Sequence, residues 1–261
     1  MKLYNEKLRL LIQLIKMDWI NRYQGSYVGF LWAFLTPLFS LLVYTLVFGV
    51  FLQAKWGSGS QSTVDFALWL FVGIVVHGLF AEVLTKSPQL IIQNSNYVTK
   101  VVFPLIIIPL SNLLSALIFA LVSVVVLLLA LWMKLEEIPW KFLYLPLVWL
   151  PFILLLAGIS WAISALGVYV RDINQIVAPI SMLLLFLSPV FYPLSQVPLE
   201  WQWLFQLNPL TLIIEQSRAV LIFSQTPDWQ SLWLYTVGSL LVCVMGWWSF
   251  NKLKTGFADV L

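Results

Sequence analysis

One cysteine, Cys243, and one histidine, His77, occur in 261 residues. A single thiol excludes a disulfide framework and any cysteine-based metal site. Charge is also scarce: 10% of residues are Asp, Glu, Lys or Arg, where a soluble domain carries about 25%. The chain has no Gly-x-x-x-x-Gly-Lys-Ser/Thr loop, no His-Glu-x-x-His and no Gly-x-Ser-x-Gly. A nucleotide hydrolase needs backbone amides and a lysine around the phosphates, and neither arrangement is supplied. The chain therefore reads as non-catalytic, with any ATP-driven work done by another chain, and neither a cofactor nor a nucleic-acid partner is expected. Nor does it open on a secretory signal, because the first 24 residues mix charge and hydrophobe.

What fills the sequence is hydrocarbon: 61% of residues are hydrophobic and the mean hydropathy is +0.94. That surplus runs the whole length, so it faces lipid and is not hidden in one core. The expected fold is an all-α membrane protein in a single transmembrane domain. Residues 1–25 form an amphipathic interface helix, with Leu8, Leu11, Ile12, Ile15, Trp19 and Tyr23 on one face and Glu6, Arg9, Gln13 and Lys16 on another. Its five basic residues suit the anionic cytoplasmic leaflet. Gly25 and Ser26 break it.

Six transmembrane helices follow, at 28–52, 66–85, 104–133, 142–170, 176–191 and 232–250. Spans one to five fill 28–191, residues 192–230 lie between spans five and six, and 251–261 form a tail. The fifth span is short for a hydrocarbon layer of roughly 30 Å and carries Pro179 and Pro189, so a kinked crossing followed by a re-entrant element is expected. Within 192–230, the run Leu210 to Ile222 is amphipathic, and Glu215 and Arg218 are spaced to pair on one face. With the N-terminus inside, Lys2, Lys7, Arg9, Lys16, Arg22, Lys86, Lys100, Arg171, Lys252 and Lys254 are cytoplasmic, and only Lys55, Lys134, Lys141 and Arg218 lie opposite. This positive-inside pattern puts both termini in the cytoplasm. Acidic Asp65, Glu136, Glu137, Glu200, Glu215 and Asp228 then fall outside.

Two cytoplasmic loops are candidates for contact with a partner. Between spans two and three, Ser87-Pro88 reads as a helix start and Asn94 to Asn96 as a stop; the segment is either a short helix fitting a partner's cleft or a plain turn. In the second loop, Asp172 and Gln175 have capping-box spacing, so Arg171 and Asp172 either cap and orient or also touch the energy-supplying subunit. Ion-coupled carriers bury acids or arginines at mid-membrane. Here only His77, read as a hydrogen-bonded packing residue, and Glu82, read as an interfacial partner of Lys86, come near. Ion coupling is therefore disfavoured.

Fourteen Trp occur, and most mark span ends as belt anchors: Trp56, Trp69, Trp132, Trp140, Trp149, Trp201, Trp203, Trp229, Trp233, Trp247 and Trp248. Phe30, Trp32, Phe34, Trp161 and Phe186 lie away from the belt or on one helix face. They are candidates to line a carbohydrate path by stacking, with lipid contact or helix packing as the other reading.

Five stretches in order, RYQGSYVGFLWAFLTP at 22–37, NYVTKVVFP at 96–104, VRDINQ at 170–175, SPVFYP at 188–193 and NPLTLIIEQSR at 208–218, together resemble the permease of polysaccharide-exporting ABC transporters. That group includes O-antigen (Wzm-like), teichoic acid and capsule exporters. The resemblance implies a six-span half-transporter that forms its channel as a homodimer in the inner membrane, with two copies of a cytoplasmic ATP-binding subunit. It implies ATPase coupling through Pro88, Gln89, Leu90, Ile91, Asn94, Tyr97 and Val98, with Arg171 and Asp172 beside them. An external gate follows from Tyr192, Pro193, Asn208, Pro209, Glu215 and Arg218. The substrate implied is a lipid-linked polysaccharide, first an O-antigen on undecaprenyl diphosphate, with teichoic acid or capsular polysaccharide as alternatives. From another class, a membrane-integral transferase acting on a lipid-linked glycan would have to use Glu200, Glu215 and Asp228, whose spacing builds no site.

Overall fold

In the computed structural model, residues 2–52, 63–99, 103–136 and 140–261 are described. Lys55, Trp56, Lys100 and Glu137 lie outside them. The described residues are helical, with no strand among them. Helix α1 spans Lys2–Tyr23 and ends where Gly25 turns to φ +84, a left-handed conformation that favours glycine. α2 (Trp32–Tyr44) carries Pro37 and runs into a π-helical stretch, Thr45–Phe51. α3 (Thr63–Lys86) continues through a 3-10 turn, Ser87–Gln89, into α4 (Leu90–Gln93), and α5 follows at Ser95–Thr99. α6 is Ile107–Leu135, α7 is Leu145–Tyr169 and α8 is Ile173–Phe186. After α9 (Leu199–Leu207) and α10 (Pro209–Leu221) come α11 (Trp229–Leu253) and a terminal α12 (Phe257–Val260).

Five stretches are long and apolar enough to cross a membrane: Gly29–Phe51, Val64–Gln93, Ile107–Lys134, Trp140–Tyr169 and Trp229–Val260. α8, where the fifth span is expected, is a shorter apolar helix of 14 residues containing Pro179. At about 1.5 Å per residue it reaches roughly 21 Å, less than a bilayer core.

α3 is the axis of the fold, since its apolar length is mostly buried, whereas the α2 stretch and α11 are mostly exposed. Around it packs a core containing Phe71, Leu79, Leu113, Leu127, Phe152, Leu156, Ile213 and Ile214. α7 and α11 cross with their backbones touching. A Cβ on Gly158 would stand 2.7 Å from Cys243 Cα, and one on Gly246 would stand 2.7 Å from Gly158 Cα. A second, smaller core forms at the end of the bundle that carries the C-terminus, from Ile91, Ile108, Ala165, Val168, Phe250 and Phe257. The tail is thus a built part of the fold: α12 tucks Phe257 against Phe250, and Tyr169 donates to the Leu253 carbonyl at 2.7 Å.

Two belt assignments are corrected. Trp149 is 2% exposed and donates to Ser217 Oγ at 3.0 Å, and Trp69 is 8% exposed. Both pack α10 and its neighbours instead of facing a membrane surface. Trp132, Trp140, Trp201, Trp203, Trp229, Trp233, Trp247 and Trp248 are all exposed.

Candidate functional site

The two loops that are candidates for partner contact sit at the end of the bundle with the second core. Ser87 starts a helix as its position before proline suggests, a 3-10 turn over Ser87–Gln89 that follows α3 without a break. Its hydroxyl donates to the Val83 carbonyl at 2.6 Å and meets Ser160 Oγ of α7 at 2.8 Å. Pro88 lies against Gly167, where a Cβ would be 2.8 Å from Pro88 Cα. Pro88 and Ile91 are buried and Gln89, Leu90, Asn94, Tyr97 and Val98 half-buried, while Gln93 and Asn96 are exposed. Asn94 ends α4, its Nδ2 donating to the Leu90 carbonyl at 2.8 Å, and Tyr97 stacks on Phe103 with centroids 4.6 Å apart. The segment is therefore a rigid double helix-turn anchored by its apolar side, with amides outward. Arg171 and Asp172 are exposed in the adjacent α7–α8 turn. Asp172 occupies the N-cap position of α8, but its side chain caps nothing; Gln175 N donates instead to the Asp172 main-chain carbonyl at 2.9 Å. The capping-box reading is corrected accordingly, and both side chains face solvent.

A charged network, visible in the sequence only as the four-residue spacings of Asp18–Arg22 and Glu82–Lys86, ties α1 to this end. Lys86 Nζ lies 2.9 Å from Glu82, Arg22 bridges Glu82 and Asp18, and Ser115 of α6 donates to Asp18. Arg22 also covers the Phe119 ring at 4.1 Å. Burial works to raise the Asp18 carboxyl, but the Ser115 hydroxyl and the charges of Arg22 and Lys86 outweigh it and hold the group below the usual carboxylate range. Burial likewise opposes the Arg22 charge, and Glu82 and Asp18 more than offset it, so the guanidinium is held above its usual value. A polar cavity of about 550 Å³ separates α1 from α4 and α5, bordered by Asp18, Asn21, Lys86, Gln93 and Asn112.

The aromatic candidates split. Trp161 is a packing anchor, its Nε1 donating to the Ile106 carbonyl at 3.1 Å. Phe30, Trp32, Phe34 and Phe186 are exposed. Phe30 packs with Trp19, Tyr23 and Phe34. Phe186 begins a run of rings that the sequence reading missed: Phe186 on Phe191, Phe191 on Phe48 and Phe48 on Phe66, at 5.8, 5.8 and 6.1 Å. That run joins α8 to the start of α3 across the π-helical end of α2.

The gate candidates gather where α8 ends. Asn208 Nδ2 donates to the carbonyls of Leu184 and Leu187 at 3.2 and 3.0 Å, closing the open C-terminus of α8. Its Oδ1 accepts from Leu210 N at 2.9 Å, capping α10, in which Pro209 holds the first position. Tyr192 donates to the Phe186 carbonyl at 2.5 Å, and Pro193 leads into the following turn. The expected Glu215–Arg218 pair takes another form. Arg218, 4% exposed, donates to the carbonyls of Trp69, Pro189 and Val190 at 2.9, 2.5 and 3.1 Å, and only the electrostatic field links it to Glu215. His77 behaves as read, its Nε2 3.0 Å from the Ser181 carbonyl of α8. No group of three or more His, Cys, Asp or Glu able to hold a metal is found among the described residues. Asp228 caps α11, accepting from Gln230 N and Ser231 N.

Among the described residues these features define a helical protein with several membrane-length apolar helices, and the chain belongs to the ABC-2 type transporter family, whose model matches residues 9–222. It is similar to the O-antigen export system permease protein RfbA of Klebsiella pneumoniae, 26% identical over 254 residues, which is 97% of this chain and 95% of the relative. The RfbA of Myxococcus xanthus is 28% identical over 96% of this chain and 94% of its own length. The polysialic acid transport protein KpsM of Escherichia coli is 28% identical over 87% of this chain and 86% of its own.

Proposed function

We propose that this chain is the membrane subunit of an ATP-driven exporter that moves a lipid-linked polysaccharide, an undecaprenyl-diphosphate-linked O-antigen first, across the inner membrane. It does so as a homodimer carrying two ATP-binding subunits in the cytoplasm. The observation that carries this reading is the end-to-end similarity to O-antigen export permeases in a chain with no phosphate-binding loop of its own. In this topology α8 is a short fifth crossing, α9 and α10 re-enter from the outside, α1 lies in the inner headgroup plane and both termini are cytoplasmic. Export of a capsular polysaccharide is the second reading, favoured by the similarity to KpsM.

The work is mechanical. ATP draws the partner subunits together, and α4 and α5 move with them because their outward amides sit in the partner's cleft. Welded by Pro88 to Gly167 and by Ser87 to Ser160, these helices carry α7 along. The exposed rings offer a polar chain weak, repeated contacts; a site that gripped each sugar would stall it. The test is co-purification followed by transport of the lipid-linked glycan in proteoliposomes. A complex with two ATPase copies and ATP-dependent export supports the reading, and glycan transfer or transport by the lone chain overturns it. Replacing Tyr97 and Val98 with Asp is expected to abolish export while leaving membrane insertion intact.

A further inference from the structure

We propose that the cavity between the α9–α10 hairpin and α11 is a lipid site that takes the primary ammonium headgroup of an aminophospholipid. The cavity measures about 590 Å³, within the range of small-ligand pockets. Its two ends differ. Gln216 Oε1 accepts from Asp228 N at 2.9 Å, which sets the neighbouring Glu215 level with the start of α11. The Pro209 carbonyl takes the Tyr235 hydroxyl at 3.0 Å, which sets the beginning of α10 two turns further in. The polar rim is therefore formed by Glu215 and Ser231, and the walls below it by Leu155, Leu212 and Val242.

Three groups there await a ligand, one of them the buried, unpartnered Ser239 Oγ of α11. Thr211 Oγ1 is buried and has no hydrogen-bond partner, the residue being 4% exposed. Helical threonines usually donate to the carbonyl four residues back, but Thr211 stands three residues after the N-cap Asn208, so that carbonyl lies before the helix. Glu215, one turn on, is half-buried and takes no hydrogen bond from a described residue, because Arg218 is directed to three backbone carbonyls. A half-buried carboxylate and unused hydroxyls on residues that line one cavity call for a cation with several donors.

The rest of the lining narrows the ligand. No lysine or arginine borders the cavity, so an anionic headgroup finds no counter-charge. A quaternary choline carries no N–H for Glu215 and Thr211. A free saccharide would leave the aliphatic depth uncovered, whereas a lipid brings hydrocarbon to it. The mouth opens at Gly238, where a Cβ would meet nothing within 4 Å, beside the exposed Leu234 and Leu241 that an acyl chain can follow.

The experiment is native mass spectrometry of the permease–ATPase complex extracted from vesicles of phosphatidylethanolamine and phosphatidylglycerol, or with phosphatidylcholine replacing the ethanolamine lipid. Because it reads lipid retention and not export, it is independent of the cargo. Phosphatidylethanolamine is expected to be retained over the other two, and Glu215→Gln to lower that retention about tenfold, the effect of losing one charge-assisted hydrogen bond. Thr211→Val is expected to lower it about threefold. Gly238→Leu, at a position with open space, blocks the mouth and carries the test if Glu215→Gln fails to assemble. Equal retention of the three lipids, wild-type retention by the assembled variants, or displacement of the lipid by free saccharide overturns the proposal.

Discussion

Substituting Gly167 by alanine probes the joint between α7 and the segment that leads into α4. The added Cβ would stand 2.8 Å from Pro88 Cα and 3.0 Å from Pro88 C, where ordinary contact begins near 3.4 Å. Both are backbone atoms within helical structure, and the Pro88 carbonyl oxygen stands closer still, so no side chain can swing aside and the two segments must part. Overpacking of this kind costs about 1–3 kcal/mol, from which alanine's better helix propensity returns up to about 1 kcal/mol. A net loss of about 1–2 kcal/mol is expected, a five- to thirtyfold shift in the local packing equilibrium. Because the Ser87–Ser160 hydrogen bond sits beside the joint, the loss should appear as faster amide exchange over residues 87–99 and as weaker coupling of ATP hydrolysis to export. Gly78→Ala is the control, since a Cβ there meets nothing within 4 Å. If Gly167→Ala matches Gly78→Ala in thermal unfolding and in exchange, the joint is not the tight contact described.

Three further outcomes are expected. Asn208→Ala removes both the cap of α10 and the closure of α8, at a cost of about 1–2 kcal/mol, measured as faster proteolysis or exchange over residues 184–212. Arg218→Lys supplies one ammonium where a planar fork meets three carbonyls and should lower thermal stability, Arg218→Ala more so by about 3 kcal/mol. The Asp18 carboxyl, held below its ordinary value of about 3.9, stabilises α1 fully above that value and loses its contribution only as pH falls through the lower folded value. The exchange protection factor of α1 should therefore be flat from pH 8 to 5 and fall in stronger acid, while Asp18→Asn lowers it between pH 8 and 5 by about the factor of a ~1 kcal/mol contact and matches the wild type once Asp18 is protonated.

Much of this was legible where chemistry is local. Gly25 announces the end of α1, Asn208-Pro209 announces the start of α10, and Glu82 with Lys86 is a pair four residues apart. What depends on distant partners was not. Arg22 and Glu82 are 60 residues apart and Asp18 and Ser115 are 97 apart, and no periodicity links them. Trp149 failed as a belt anchor because a ring near a span end looks alike in sequence whether it meets lipid or, as here, a serine on α10. Arg218 read as the partner of Glu215 because three-residue spacing counts side chains, whereas its acceptors are backbone carbonyls, which every sequence has and none advertises. Ser87-Pro88 read as a helix start because proline suits a first turn, and a 3-10 turn does begin there, but nothing local shows that it follows α3 without a break.

The crossing of α7 and α11 at Gly158 and Gly246 also bears on the surrounding bilayer. With backbones this close there is no width for an acyl chain, so the seam is lipid-tight at the crossing. Bulk at either glycine would open a leak path for lipid into the bundle before it unfolded anything.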